Sequence, residues 1–384
     1  MAGVGGVAGC LGGSGTGSGN ESGGGGNGSN TSSAASSTSK EQKTAQASFF
    51  VFGDFASYVA GDAATANTLV PVGQHGHGWE PGPKLQGTVL DSDLFVSGME
   101  GFQPWADDLV SSLQADNADV AVVTVGSNVE LLEAGEGHHH HDREGGQHHE
   151  NESAGNESDH HEHHKNEGGQ HDHQGEDEHN GNESEHERHE NESEGEHHDH
   201  EHDLSGGVDP HFWLDPLRAK TAVGTIEQGF TEIGGGNEDA FSNNADEYRS
   251  RLDDLHGSFQ SKLESASKEV VFVAGHNAYQ YLAERYGFEA ETLTELSPDD
   301  QPTPRDIERA QEIVGEHDLE YVLADPLESQ KAANQLVAET DAKEVLPLTA
   351  IPGQTQEWVD RGWGYVDIME QVNLPTLVKA LDAQ

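Results

Sequence analysis

Nineteen of the 25 histidines in this 384-residue chain crowd into residues 137 to 203, and six stand apart. His75 and His77 lie in PVGQHGHGWEP, His211 in DPHFWLDP and His276 in VFVAGHNAYQYLAERYG, each beside a turn-forming Gly or Pro. His256 and His317 fall within and at the end of stretches with helical spacing, and read as solvent-facing or capping. Neutral imidazole is a good ligand for borderline metal ions. Three imidazoles from separate chain segments, with a fourth position for water or carboxylate, describe a zinc site with Zn–N bonds of about 2.0–2.1 Å. The single cysteine, Cys10, excludes an intramolecular disulfide and any multi-cysteine zinc site. There is no H-E-x-x-H segment, and Glu80 is the only obvious base near a histidine, so catalysis on a substrate is not expected.

The segments that must carry these histidines alternate between strand and helix. Residues 48–52 (SFFVF) and 68–72 read as strands, followed by a strand at 94–96 and a helix from 104 to about 113. Residues 120–125 (VAVVTV) read as a strand buried on both faces. Beyond the His-rich block, residues 238–266 carry Tyr248, Leu252, Leu255, Phe259 and Leu263 at three- and four-residue spacing, one long amphipathic helix. A second alternating set follows: strand 270–274, helix 278–286, strand 289–293, and a helix opened by Thr303-Pro304 as N-cap and first-turn proline. Strand 321–324, helix 329–339, strand 344–348 and a C-terminal helix complete it. The fold class is α/β: two lobes with mostly parallel sheets joined by one long rigid linker helix. Ligands of such sheets bind at the carboxyl ends of strands, which places His75, His77, His211 and His276 around the cleft.

The expected organisation is a signal remnant, lipobox and Gly/Ser tether at 1–47, a first lobe at 48–136 and 204–237, the His-rich loop at 137–203, a linker helix at 238–266 and a second lobe at 267–384. Val7-Ala8-Gly9-Cys10 has the form of a lipobox, although the segment before it is too short for a full leader. It is followed by Gly, Ser, Thr and Asn to residue 39, a flexible tether. Sequons at Asn20, Asn27, Asn30, Asn151, Asn156, Asn182 and Asn191 agree mildly with an external location. No run of 18 apolar residues exists, so no spanning helix is expected.

Charge narrows the setting further. The chain has 71 acidic and 19 basic residues, for a formal charge of −52. Nucleic acid and anionic membrane surfaces, which recruit Lys and Arg, are therefore excluded as partners. Residues 137–203 hold 22 of the acidic and 3 of the basic residues, which still leaves −33 on the rest. In molar salt, where the screening length falls to about 3 Å, such self-repulsion is damped. The reading is of a halophile's protein, haloarchaeal in source. The block itself has no apolar residue larger than alanine and is expected to stay disordered, while its imidazoles and carboxylates collect divalent ions weakly.

The three isolated segments resemble those of the zinc/manganese-type solute-binding proteins of ABC importers. The family pattern P-G-x-x-P-H-x-[YF]-E-P is met by Gly73, His77, Trp79, Glu80 and Pro81, with Gly76 in place of proline. D-P-H-x-W-L-D-P is met by Asp209, Pro210, His211, Trp213, Leu214, Asp215 and Pro216. H-x-A-[FY]-x-Y-[FL]-x-x-x-Y-G is met by His276, Ala278, Tyr279, Tyr281, Leu282, Tyr286 and Gly287. The resemblance spans roughly 48–134 and 206–382, and it implies two lobes linked by one rigid helix with a His-rich acidic insertion between the first two motifs. It implies His77, His211 and His276 as ligands of a transported Zn²⁺, with water, Glu80 or Asp360 as the fourth. His75 is secondary, substituting if its loop slides by two residues. Imidazole at position 276 favours zinc over manganese. The expected protein is a non-enzymatic monomer, which the lipobox and tether would anchor by lipid at Cys10 on the outer face of the membrane. It would close modestly on the ion, deliver it to a permease and its ATPase, and release it on protonation. A manganese importer component, a surface zinc buffer or adhesin, and a zinc hydrolase are the competing readings.

Overall fold

The computed structural model describes residues 42–76, 79–82, 84–134, 207–296 and 300–383. The first sheet contains β1 (Lys43–Ala47), β2 (Ala64–Thr68), β3 (Leu94–Ser97) and β4 (Ala121–Thr124), all parallel, in the order β2-β1-β3-β4. The second contains β5 (Val270–Val273), β6 (Glu289–Thr292), β7 (Tyr321–Ala324) and β8 (Glu344–Pro347), again parallel, in the order β6-β5-β7-β8. Both sheets therefore share one winding, with the strand order reversing beside the first strand. In each, the crevice for a ligand opens between the first and third strands.

Helices α1 (Phe50–Ala60), α2 (Leu85–Leu90), α3 (Pro104–Ala115) and α4 (Pro216–Ile233) accompany the first sheet. The second is accompanied by α6 (Gln280–Tyr286), α7 (Pro304–Glu316), α8 (Lys331–Glu339), α9 (Gln356–Arg361), α10 (Tyr365–Ile368) and α11 (Leu374–Ala380). Between the two sets runs α5 (Glu238–Leu263), whose 26 residues extend about 39 Å at 1.5 Å per residue. It buries Phe241, Ala245, Tyr248, Leu252, Leu255, Phe259 and Leu263 along one stripe and turns charged residues outward. One apolar cluster runs without a break from Ala45 in β1 to Ala383 at the chain's end.

Several elements differ from the sequence reading, for physical reasons. Residues 48–52 are not a strand: β1 lies just before them, within the stretch read as tether, and α1 begins at Phe50. Phe50, Val51, Phe52, Phe55, Ala56, Val59 and Ala60 are all buried, so α1 is apolar nearly all round and lacks the periodicity that marks a helix. Strand β2 ends at Thr68, ahead of Pro71, whose missing N–H cannot serve a ladder. Strand β4 is an edge strand in which only Val123 is buried. Helix α4 lies where the sequence reading has no element; it is opened by Asp215, whose side chain accepts from the Leu217 N–H, and by Pro216 in its first turn. Among the described residues no helix is long and apolar enough to cross a membrane.

One buried carboxylate ties three elements together. Asp54 on α1 accepts from the Tyr248 hydroxyl on α5 (2.9 Å) and from the Tyr365 N–H opening α10 (3.1 Å). Burial outweighs these bonds and pushes its pKa up to about 6. A carboxyl whose folded pKa exceeds its unfolded value contributes stability below the unfolded pKa and loses it as pH rises through the folded one. Asp54→Asn keeps an acceptor without the charge. It should raise stability by about 2 kcal/mol at pH 7.5, with the gain shrinking towards zero at pH 4. Denaturant titrations of both proteins across that range check this; a gain independent of pH contradicts it.

Candidate metal centre

The DPHFWLDP segment builds its own end of the site. Asp209 accepts twice through Oδ1, from the His211 N–H at 2.9 Å and from the His211 ring Nδ1 at 2.7 Å. A 3₁₀ turn, Phe212–Leu214, then leads to Asp215 and the start of α4. With Nδ1–H committed to a carboxylate, the lone pair of His211 sits on Nε2, the tautomer a metal requires. His211 is fully buried, and desolvation holds its pKa below the ordinary imidazole range in spite of Asp209, keeping it neutral.

From the other lobe, His276 follows β5 through Ala274 and Gly275 and is 3% exposed. Its Nε2 faces His211 Nε2 at 3.4 Å. Two Zn–N bonds of about 2.05 Å at the tetrahedral angle put their nitrogens about 3.35 Å apart, so this spacing is that of two ligands of one ion. The His276 Nδ1 lies 2.8 Å from Glu328 Oε1. Glu328 stands just beyond β7, where Asp325 shapes the turn by accepting from Leu327 N (2.8 Å) and Ala350 N (3.0 Å). His276 and Glu328 thus come from the two strands flanking the reversal of order in the second sheet. Gly275 makes room for the carboxylate: a Cβ there would lie 2.7 Å from Glu328 Oε2. Burial would raise the Glu328 pKa, but hydrogen bonds and charge from His276 and His75 prevail and hold it at about 2. It is therefore anionic at any working pH.

His75 completes the group. Its Nε2 is 3.3 Å from Glu328 Oε1, and its ring meets that of His276 edge-on at 5.8 Å. His75, His276 and Glu328 each offer a donor atom within 4.8 Å of the others. The loop carrying His75 is drawn across the cleft by Gly73 N–H to Gln354 O (2.8 Å) and Gly76 N–H to Pro352 O (3.1 Å). At Gly76 a Cβ would lie 2.3 Å from the Phe49 ring and 2.7 Å from Pro352 O, which explains glycine where the related pattern has proline.

The structure thus brings together His211, His276 and the secondary candidate His75; His77 lies outside the described residues. Glu80 is exposed, and Asp360 is exposed on α9 accepting from Gln356 at 2.9 Å. The carboxylate the structure groups with the histidines is Glu328, which the sequence reading passed over. The available signal was its place in ADPLESQ, directly after a strand, where sheets of this kind present ligands. Of the two outlying histidines, His256 is half-buried with Nδ1 3.2 Å from the Tyr286 hydroxyl, and His317 ends α7.

A family profile described as zinc-uptake complex component A, periplasmic, matches residues 46–380. The chain belongs to that family. Within it, this chain is similar to the high-affinity zinc uptake system protein ZnuA of Bacillus subtilis (strain 168), at 27% identity over 334 residues covering 87% of this chain and 86% of that protein. It is also similar to the zinc-binding lipoprotein AdcA of Streptococcus pneumoniae (strain ATCC BAA-255 / R6), at 27% identity over 340 residues. That match covers 88% of this chain but 55% of AdcA, so the chain spans about half of that relative. The fold matches the crystal structure of the Zn(II)-bound ZnuA-like domain of Streptococcus pneumoniae AdcA with a TM-score of 0.62 at 23% identity, covering 89% of this chain and all of that one. The two α/β lobes with parallel sheets are thus the family's fold.

Asp209 touches the candidate site only through His211. Asp209→Ala should lower Zn²⁺ affinity about 10- to 100-fold while the protein stays folded, because the imidazole loses its orienting acceptor. Competition titration against a chelator of known affinity measures this, and unchanged affinity would refute the role.

Proposed function

We propose that this protein captures Zn²⁺ outside the cell and hands it to the permease of an ABC importer driven by its ATPase. The observation that carries this reading is the convergence of His211 and His276 from opposite lobes at 3.4 Å, buried, with His75 and anionic Glu328 alongside. The imidazoles form a nitrogen-rich set suited to zinc rather than to manganese, which prefers oxygen. Glu328 Oε1 meets His276 at Nδ1, the ring nitrogen turned away from His211, and so orients that imidazole as Asp209 orients His211. The names of the similar ZnuA and AdcA proteins agree with zinc as the cargo. Cys10, outside the described residues, would carry a lipid anchor holding the protein at the outer face of the membrane. The −33 charge borne outside the His-rich block suits a halophile's exterior, where molar salt screens it.

The His-rich block, also outside the described residues, would collect zinc and exchange it quickly. A variant lacking residues 137 to 203 should therefore keep one tightly held zinc in high salt. His276→Ala in that background should lose it by a factor of at least 100, and Glu328→Gln should weaken it less. Metal analysis after dialysis and chelator competition read both results; a deletion variant without tight zinc would sink the proposal. The same assay separates two neighbouring candidates: His75→Ala should release the ion and His77→Ala should retain it.

A further inference from the structure

Helix α6 follows His276 in the second lobe, and one side of it is fastened to the first lobe. Gln280, Tyr281, Glu284 and Arg285 make that side, spaced as neighbours over one helical turn. Arg285 donates to the buried Asp215 carboxylate from Nε (3.0 Å) and Nη2 (2.6 Å). Arg218 of α4 reaches Glu284 at 3.2 Å and lies 4.9 Å over the Tyr281 ring. Gln280 Nε2 donates to Glu133 O at 3.2 Å.

Tyr281 occupies the centre of this seam and is fully buried. Its hydroxyl accepts from the Leu132 N–H at 2.8 Å and donates to the Asp209 carbonyl at 2.7 Å. Leu132 and Asp209 are joined directly as well, Asp209 N–H to Leu132 O at 2.9 Å, beside the antiparallel bridge Glu133–Val208. These are the two chain ends from which residues 135–206 depart. One phenol from the second lobe thus seals the root of the insertion and also holds Asp209, the residue that orients His211.

We propose that Tyr281 is a positioning residue for the ion site, a clasp across the cleft that keeps His211 opposite His276. This rests on the zinc-capture reading above. The path is short: Tyr281 hydroxyl to Asp209 backbone, Asp209 carboxylate to His211 Nδ1, His211 Nε2 to the ion. Opening of the lobes breaks the first link, and His211 then loses its fixed distance from His276. Zinc release is thereby coupled to opening of this seam.

The test compares Tyr281→Phe with Tyr279→Phe in the full chain at high salt. Tyr279 is a matched control, a buried tyrosine on the same segment whose hydroxyl donates to Leu348 O at 3.1 Å inside the second lobe. Each variant loses one buried hydroxyl, with two hydrogen bonds at Tyr281 against one at Tyr279, so both should lower the melting temperature of the metal-free protein, Tyr281→Phe by the larger amount. The slow phase of zinc release into excess chelator should accelerate about tenfold in Tyr281→Phe, the equivalent of its one bond to the Asp209 carbonyl, and less than twofold in Tyr279→Phe. The visible absorption of the cobalt(II)-loaded protein should change only in Tyr281→Phe. Release at the wild-type rate in Tyr281→Phe, or equal acceleration in both, overturns the proposal. If Tyr281→Phe does not fold, Gln280→Ala decides: two- to threefold faster release supports the clasp and an unchanged rate overturns it. Absence of any slow zinc phase in the wild-type protein would instead overturn the zinc-capture reading itself.

Discussion

Trp213 makes the two lobes one body. It is fully buried, its indole N–H donates to Ala350 O at 2.8 Å, and its own carbonyl accepts from the Tyr365 hydroxyl. The rings of Phe49, Phe52 and Phe102 surround it at 5.2, 5.6 and 5.4 Å. Two residues earlier in the chain stands His211, so a side chain locked into both lobes sets the position of that imidazole in the cleft. A single apolar core running through the lobe junction makes wide hinge opening costly, because opening would expose aromatic surface to water. Small movements at the seam along α6 and in the loop of His75 are left as the affordable motions.

The same construction reconciles the site with the protein's charge. A chain this acidic would repel itself strongly in dilute buffer. Yet the carboxylates behind the cleft histidines are buried: Asp209 against His211, Asp215 beneath Arg285, and Asp325 in the turn before Glu328. Salt screens exposed pairs far more than buried ones. Molar salt can therefore relieve the surface without loosening the site.

Much of the fold was legible because the second set of elements follows simple local rules. Thr303 and Asp306 form a full capping box at the start of α7, and Tyr321–Ala324 is a strand from end to end as read. Helix α1 was hidden because burial on nearly every face erased its periodicity. Strand β1, KTAQA, was hidden because its polar residues carry no strand signature and its place is granted only by pairing with β2 and β3.

What the sequence by itself determined is the chemistry at each point of the cleft. DPHFWLDP prescribes a histidine oriented by an aspartate two residues before it and a helix capped four residues after it, all over short chain distances. Likewise a histidine after a strand and a glycine is bound to sit at a sheet's carboxyl edge. Only the tertiary structure decided which donors share a space. Glu328 is 52 residues from His276, and the two meet because β5 and β7 are neighbours at the reversal of strand order. His75 stands beside Glu328 because its loop is pulled against residues 352–354 through a passage that only glycine fits. Such proximity depends on sheet order and interlobe packing, which no spacing along the chain encodes.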